Sequence, residues 1–488
     1  MSQHESGADV RAGLDHPIID ADGHWIEYTP VFAEEIRKAA GAKAEAGFRA
    51  SQKRLPDLLS LSIEERKQRG LAQDGYWARS STSTLDRATS MLPRMLYDRL
   101  DEFGIDFGIV YPTAGLGIVR IPDDETRRAT CRGYNIVTAD YFAKLSDRLT
   151  PVAAIPANTP DEAIAELDFA VKQLGAKVCM IASGITRPLP AARGADPELA
   201  QFAVRFDQLA LDSDYDYDPV WAKCRELGVA PTFHTAGRGF ALRASPSNYT
   251  FNHIGHFADA GQAVAKALFL GGVTRRFPEL NFAFLEGGAG WGCQLFGDLT
   301  EHWERRNKAG IAYNDPLKLD RGLLKSLIDR YGYAEIAAEV ARRDGWPNLE
   351  EDLLTGGDTV LDDFAQCGIG RKEDWIDLFA RPFYFGCEAD DRMSTAAFGR
   401  ANPFGARLNA MFSTDIGHFD VQDMRKPVVE AWELVEHGLL TREHFRDFAF
   451  ANAVRLWGKQ NPRFFEGTKV ASAAAAVLAA TPVRAAAE

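Results

Sequence analysis

Titratable residues stand at the ends of several strongly apolar runs in this chain, and that placement is where its chemistry is expected. The run 17–24 closes on Asp20, Asp22 and His24 at alternate positions, and the two-residue period of a strand puts all three on one side. Later apolar runs close on His234, Glu286, Glu388 and Asp415. Carboxylates and imidazoles together suit Zn, Mn or Fe, and three titratable groups crowded on one face call for the counter-charge that a divalent ion supplies. Taken singly, a strand-end His or Asp usually caps the next helix or bonds loop backbone. Several of them at equivalent ends of one sheet have a single explanation in a metal site.

A second group of candidates lies on the loops beyond those ends. In Asn252-His253-Ile254-Gly255-His256, two histidines three apart at a helix start can face one ligand, as an extra metal pair or a proton relay. Helix-entry hydrogen bonding is the plain alternative for either. Glu388 heads the acidic stretch Glu388-Ala389-Asp390-Asp391 and is expected to face inward behind the ligands, with the two aspartates outward. His418, three residues past Asp415, is read either there or as a surface loop residue, while Trp291, His302 and Trp303 are expected to pack a helix. The expected ligands are therefore Asp22, His24, His234, Asp415, Glu286 and His253. Glu286 and His256 are the expected proton-moving groups, with Glu388 and His418 as support.

Residues this far apart in sequence converge only if one scaffold gathers them. Eight short apolar runs, 17–24, 106–113, 150–156, 177–183, 229–235, 280–286, 382–388 and 409–415, alternate with helical patterns, which predicts a parallel sheet. Eight is the number of an α/β (β/α)8 TIM barrel, whose strand ends share one catalytic face. Helices are predicted at 124–145, 160–174, 218–227, 257–270 and 424–437, the last four ending before Gly175, Gly228, Gly271 and Gly438. The intervals 26–105 and 302–381 are too long for simple connections and read as helical insertions able to cover the barrel mouth. The single barrel domain is expected over 17–467, after a flexible stretch 1–16 and before an alanine-rich tail 468–488 that is either a frayed helix or disordered.

Composition narrows the remaining classes. The 488 residues are 46% hydrophobic and 26% charged, which suits a globular chain with a large core. A formal charge of −13 with no basic stripe argues against nucleic acid as a partner. No apolar stretch is long enough for a membrane span, and the opening residues lack a secretory signal. The six scattered cysteines form no C-x-x-C pair. A cytoplasmic protein acting on a small-molecule substrate is expected, with a homodimer as one open oligomeric state.

The D-x-H ending of the first strand, the His234 strand, the run F-P-E-L-N-F-A-F-L-E-G-G-A-G-W and the S-T-D ending of the eighth resemble the second amidohydrolase family. That family includes barrel hydrolases and decarboxylases related to aminocarboxymuconate-semialdehyde decarboxylase. The likeness runs from about Ile18 to about Asn461 outside the two insertions. It implies metal ligation by Asp22, His24, His234 and Asp415, with Asp415 also orienting or deprotonating a metal-bound water. D-x-H replaces the usual H-x-H, Glu286 stands where many relatives have His, and Lys177 begins the fourth strand instead of ending it, so no carbamylated-lysine bridge is expected. Such a site is harder and more anionic, which favours Mn or Fe over Zn. The function expected is metal-dependent hydrolysis or decarboxylation of a small carboxylate-bearing molecule. The alternative is a non-haem di-iron oxygenase in which Glu286 bridges two ions. A catalytically silent barrel ranks last, because a cluster of buried acids without a counter-charge is costly.

Overall fold

A computed structural model describes residues 4–73, 82–192, 194, 196, 200, 202–234, 244–314, 320–343 and 362–480. Its strands are β1 (Ile19–Trp25), β2 (Phe107–Pro112), β3 (Leu149–Ile155), β4 (Val178–Ile181), β5 (Ile185–Pro188), β6 (Val204–Asp207), β7 (Pro231–Phe233), β8 (Phe282–Phe284), β9 (Phe383–Glu388) and β10 (Asn409–Ser413). Eight of them pair in the order β1-β2-β3-β4-β7-β8-β9-β10, all parallel, while β5 and β6 form a separate antiparallel hairpin after β4. Beyond the end of β10 the ring is drawn together by two backbone hydrogen bonds. Asp415 N–H donates to Asp22 O at 3.1 Å, and His24 N–H donates to Ile416 O at 2.7 Å. The result is a nearly closed (β/α)8 barrel; six of the eight expected runs contain one of its strands, and 17–24 and 150–156 each miss one terminal residue of theirs.

The strands are buried on both faces, as a sheet covered by helices requires, so their sequences are near-continuous apolar runs. The helices Pro160–Leu174 and Asp218–Leu227 end where the glycines predict, with Gly175 at φ 70° and Gly228 at φ 66°. After the helix His256–Leu270 the left-handed residue is Gly272, at φ 71°, and not Gly271.

Both long intervals carry helices. In the first, Thr29–Ser60 presents Phe32, Ile36, Ala44 and Phe48 as a buried stripe toward the helix Asp124–Phe142, where Gly133 lets Ile36 and Ala40 approach closely. Burying each large apolar side chain of that stripe contributes roughly 1.5–3 kcal/mol. The expected capping box forms at Ser62 and Glu65 and starts the helix Ile63–Gln68. From there the chain reaches the loop after β7: Arg66 Nε donates to Pro246 O, Gln73 N–H to Ser245 O, and Asn252 Nδ2 to Gln73 O. In the second interval the helices Arg321–Tyr331 and Ala334–Arg342 are largely exposed.

Two expectations about the ends are corrected. Residues 1–16 are not a loose leader throughout, because Ser6 and Asp9 cap a helix Gly7–Ala12 whose Val10 is buried. The alanine-rich tail is not disordered up to residue 480. It forms the helix Ala471–Ala480, with Ala474 and Val477 buried and Leu478 resting against Gly458. High helix propensity and a small-residue contact explain the order. Residues 481–488 of that expectation lie outside the described residues. Among the described residues no helix is long and apolar enough to cross a membrane, and all six cysteines are free thiols.

Candidate metal centre

β1 delivers the first two ligands. Its register against β2 shifts between Asp20 and Gly23, so the simple alternation predicted for Asp20, Asp22 and His24 breaks. Asp22 and His24 enter the barrel mouth, whereas Asp20 turns to the neighbouring Thr414. His24 Nδ1 lies 3.1 Å from Pro112 O, and this carbonyl acceptor leaves the Nε2 lone pair facing the mouth.

The other ligands come from just past three strand ends. His234 follows β7, Glu286 lies two residues past β8, and Asp415 two past β10. Glu286 and Asp415 both have left-handed backbones, at φ 57° and 53°, an uncommon conformation for residues with a Cβ. The strained turns aim both carboxylates at the histidines.

The donor atoms then sit within a few ångströms of one another. His24 Nε2 and His234 Nε2 are 3.1 Å apart. His234 Nε2 lies 3.2 Å from Glu286 Oε2 and 3.4 Å from Asp22 Oδ2. His24 Nε2 lies 3.5 Å from Asp22 Oδ1 and 3.6 Å from Asp415 Oδ1. Ligands bonded at about 2.1 Å to one ion are themselves about 3.0–3.4 Å apart, so these spacings are those of a coordination shell. All five residues are at least nine-tenths buried, and Asp22 Oδ1, Asp415 Oδ2 and His234 Nδ1 have no hydrogen-bond partner. Buried polar atoms are otherwise almost always satisfied. A divalent cation fits this donor set.

Electrostatics agree. Burial raises the Asp22, Glu286 and Asp415 carboxyls; His234 opposes the rise at Asp22 and Glu286, while neighbouring carboxylates add to it at Asp415 and Glu286, which reaches about 7. Burial lowers His234, but Asp22 and Glu286 outweigh it and carry the imidazole up to about 10. His24 moves the other way, pushed down by burial and by His418 and His234. The two imidazoles face each other and cannot both hold a proton between them. The opposite shifts are those of metal-free protein, in which one histidine takes the cationic role that an ion would fill.

Four donors, Asp22, His24, His234 and Glu286, form one group within 4.8 Å, and His24, Glu286, Asp415 and His418 form a second. His418, expected only as support, thus stands among the possible ligands. Its Nδ1 is 2.6 Å from Asp415 Oδ1, its ring stacks on His24 at 4.0 Å, and its Nε2 meets Thr113 Oγ1 at 3.2 Å. Glu388 ends β9, and burial followed by the charges of Glu286 and Asp420 pushes its carboxyl up to about 9. His253 and His256 fall outside both groups. Their rings pair with each other, Nδ1 to Nε2 at 2.9 Å, and Phe257 touches both His256, at 4.1 Å, and His234, at 5.3 Å.

Sequence reasoning missed Asp420, Thr113, Thr414 and Glu27. Glu27 accepts from Ala114 N–H, Gly115 N–H and Tyr134 Oη, fixing the loop that carries Thr113. Only Thr414 had a signal, its place inside the S-T-D ending. A cavity of about 280 Å³ bordered by Thr138, Phe142 and Thr150 lies beside β3, and no candidate ligand lines it.

The sequence model of the family described as Amidohydrolase matches residues 19–334, well over half of the chain. Among curated proteins no match to the chain was found. Among solved structures, an amidohydrolase from Mycobacterium avium subsp. paratuberculosis K-10 has a TM-score of 0.51 at 15% identity, covering 91% of this chain and 100% of its own. A dihydroxybenzoic acid decarboxylase from Polaromonas sp. JS666, solved with manganese and 2-nitroresorcinol, has a TM-score of 0.50 at 15% identity, covering 92% of this chain and 99% of its own. At such identity these structures speak for the fold, whereas the family match rests on sequence, and together with the motifs at the barrel mouth it shows that the chain belongs to the second amidohydrolase family.

Proposed function

We propose that this protein is a divalent-metal-dependent carboxy-lyase acting on a small organic acid, with manganese as the preferred ion. The observation that carries the metal dependence is the convergence of His24 Nε2 and His234 Nε2 with buried carboxylate oxygens of Asp22 and Asp415. Two carboxylates beside two imidazoles, with Glu286 adding anionic charge next to them, make a hard site, which suits manganese better than zinc. A bound ion supplies positive charge that holds an anionic substrate and stabilises developing negative charge.

The chain's own residues supply the proton. When the bond between the substrate carbon and its carboxylate breaks, the electron pair stays on carbon, CO2 leaves, and the carbon takes up a proton. Burial raises both Glu286 and Glu388 in the metal-free protein, and a carboxyl held protonated by a dry site is the kind of group that serves as a general acid. Glu286 is assigned as the donor and is reprotonated from solvent. Asp22, His24, His234 and Asp415 hold the site, and His418 beside Asp415 keeps that carboxylate oriented. The manganese-bound benzoate decarboxylase of like fold supports an aromatic acid as the first substrate to try.

The test is release of CO2 from a panel of hydroxybenzoates by manganese-loaded protein. Loss of release in Glu286→Gln with manganese retained supports the assignment. Turnover of amides or lactones without CO2 release would replace it with hydrolysis.

The second donor group favours one further reading, in which Glu286 bridges two iron ions of an oxygenase. Two irons per chain and substrate-dependent oxygen uptake would support it, and one ion without oxygen uptake would dismiss it.

A further inference from the structure

Asp20 is a buried carboxylate that belongs to neither donor group, and no lysine or arginine among the described residues pairs with it. Its three hydrogen bonds straddle the seam between the first and last strands of the barrel. Oδ1 accepts from Thr414 N–H at 3.0 Å and from Asp22 N–H at 3.2 Å, and Oδ2 accepts from Thr414 Oγ1 at 2.6 Å. Thr414 Oγ1 in turn accepts from Ile416 N–H at 3.1 Å. Each of these bonds ends within two residues of a proposed ligand: Asp22 and His24 on one side, Asp415 on the other.

The backbone around this carboxylate is shaped to admit it. A Cβ on Gly23 would lie 2.5 Å from Asp20 Oδ2, so no larger residue fits there while the carboxylate keeps its place. Across the seam, a Cβ on Gly417 would lie 2.6 Å from His24 O, and Gly417 has φ 106°. Between Thr414 and Gly417 sits Asp415 with its left-handed φ of 53°, a conformation that persists only where surrounding bonds enforce it. The bonds from Thr414 and Ile416 to the Asp20 network join the backbone bonds Asp415 N–H to Asp22 O and His24 N–H to Ile416 O in enforcing it.

We propose that Asp20 and Thr414 form a positioning clasp that sets the separation of the Asp22–His24 pair from Asp415, and so the affinity and coordination geometry of the divalent ion. Neither residue touches the ion. The ladder alone is a poor fixture here, because the last strand ends at Ser413 and Asp415 lies two residues beyond it. A flexible Asp415 gives a looser donor set, and groups orienting metal ligands typically matter by about 10–100-fold in affinity.

This inference rests on the metal-site reading, and the experiment separates the two. Mn2+ binding to full-length protein is followed by electron paramagnetic resonance, which reports the free ion and the symmetry of the bound one. Metal-free unfolding temperatures are recorded alongside. Thr414→Val, which keeps the shape and removes the hydroxyl, is expected to bind Mn2+ at least about tenfold more weakly with an altered bound spectrum. Thr414→Ser, which keeps the hydroxyl, is expected to restore both, and Asp20→Asn to follow the valine variant. If Asp20→Asn does not fold, the Thr414 pair decides. Native affinity and a native spectrum in folded Thr414→Val, whatever its unfolding temperature, would overturn the clasp and leave Asp20 as barrel closure only. Wild-type protein that binds no Mn2+, Zn2+ or Fe2+ would overturn the metal-site reading and the clasp with it.

Discussion

The seam between β1 and β10 and the loop after β7 both present histidines and polar groups to the barrel mouth, yet they are built differently. At the seam, Asp22, His24 and Asp415 are placed by strand backbone, by cross-seam hydrogen bonds and by the Asp20–Thr414 bonds. On the loop, His253 and His256 are placed by a short helix and by side chains, including Asn252, which reaches back to Gln73 and Ser245. The first arrangement puts buried donor atoms from three strand ends within coordination distance of one another, and the second turns one nitrogen of each imidazole to the other ring. Strand ends make ligands, and the loop makes surroundings.

The largest expected effect separates the two regions outright. His234→Ala should lower Mn2+ affinity by more than about 100-fold, beyond the usual range for outlying groups, while His253→Ala should leave it nearly native. Titration calorimetry on both variants checks this, and equal losses would erase the distinction.

Next in size is Gly417→Ala, which forces a Cβ into His24 O and an L residue into φ 106°. Holding such a residue costs on the order of 1–3 kcal/mol before any displacement is counted. Chemical denaturation should show that loss together with weaker Mn2+ binding, since the strain falls between two ligands. Full stability with weakened binding would sharpen the role of the seam, and native behaviour in both would break it.

A pH effect follows from the crowded carboxylates. Folded, metal-free protein holds Glu286 near 7 and Glu388 near 9, against 4.5 for an ordinary glutamate, so it binds more protons than the unfolded chain between those values. The sign is then fixed: this contribution to stability is full below about 4.5, falls as pH rises, and is gone above about 9. The unfolding temperature of metal-free protein should therefore drop from about pH 6.5 to about pH 9, with His24 and His418, held down by burial, opposing the trend at lower pH, and saturating Mn2+ should remove much of the slope by neutralising the same charges. A flat metal-free profile would mean that the carboxylates are not crowded.

The smallest effect concerns the loop itself. Asn252→Ala removes the bonds to Gln73 and Ser245 and should raise KM with little change in Mn2+ affinity. Steady-state kinetics and metal titration together check it, and a matching fall in metal affinity would make the loop part of the centre.

How much of this could be read from the sequence follows the same division. The eight strands were legible because a fully buried parallel strand is a short apolar run, and the cluster of Asp22, His24, His234, Glu286 and Asp415 was legible because each terminates or closely follows one. Asp20 was misplaced because a register shift in β1, invisible in the alternation of residue types, turned it across the seam. Asp420 and Thr113 were missed because they lie on loops whose positions depend on contacts far away in sequence, such as Glu27 holding Ala114 and Gly115. For the tail Ala471–Ala480, helix and disorder could not be told apart in sequence, because low complexity does not reveal the glycine at position 458 that receives Leu478.

The central claim is that one buried cluster at the barrel mouth binds a divalent ion. Anomalous diffraction at the manganese edge from crystals grown with Mn2+ tests it most directly. The account predicts a strong peak between His24 Nε2 and His234 Nε2, within bonding distance of oxygens from Asp22 and at least one of Glu286 and Asp415. A peak elsewhere, or none at the barrel mouth under saturating Mn2+, would contradict it.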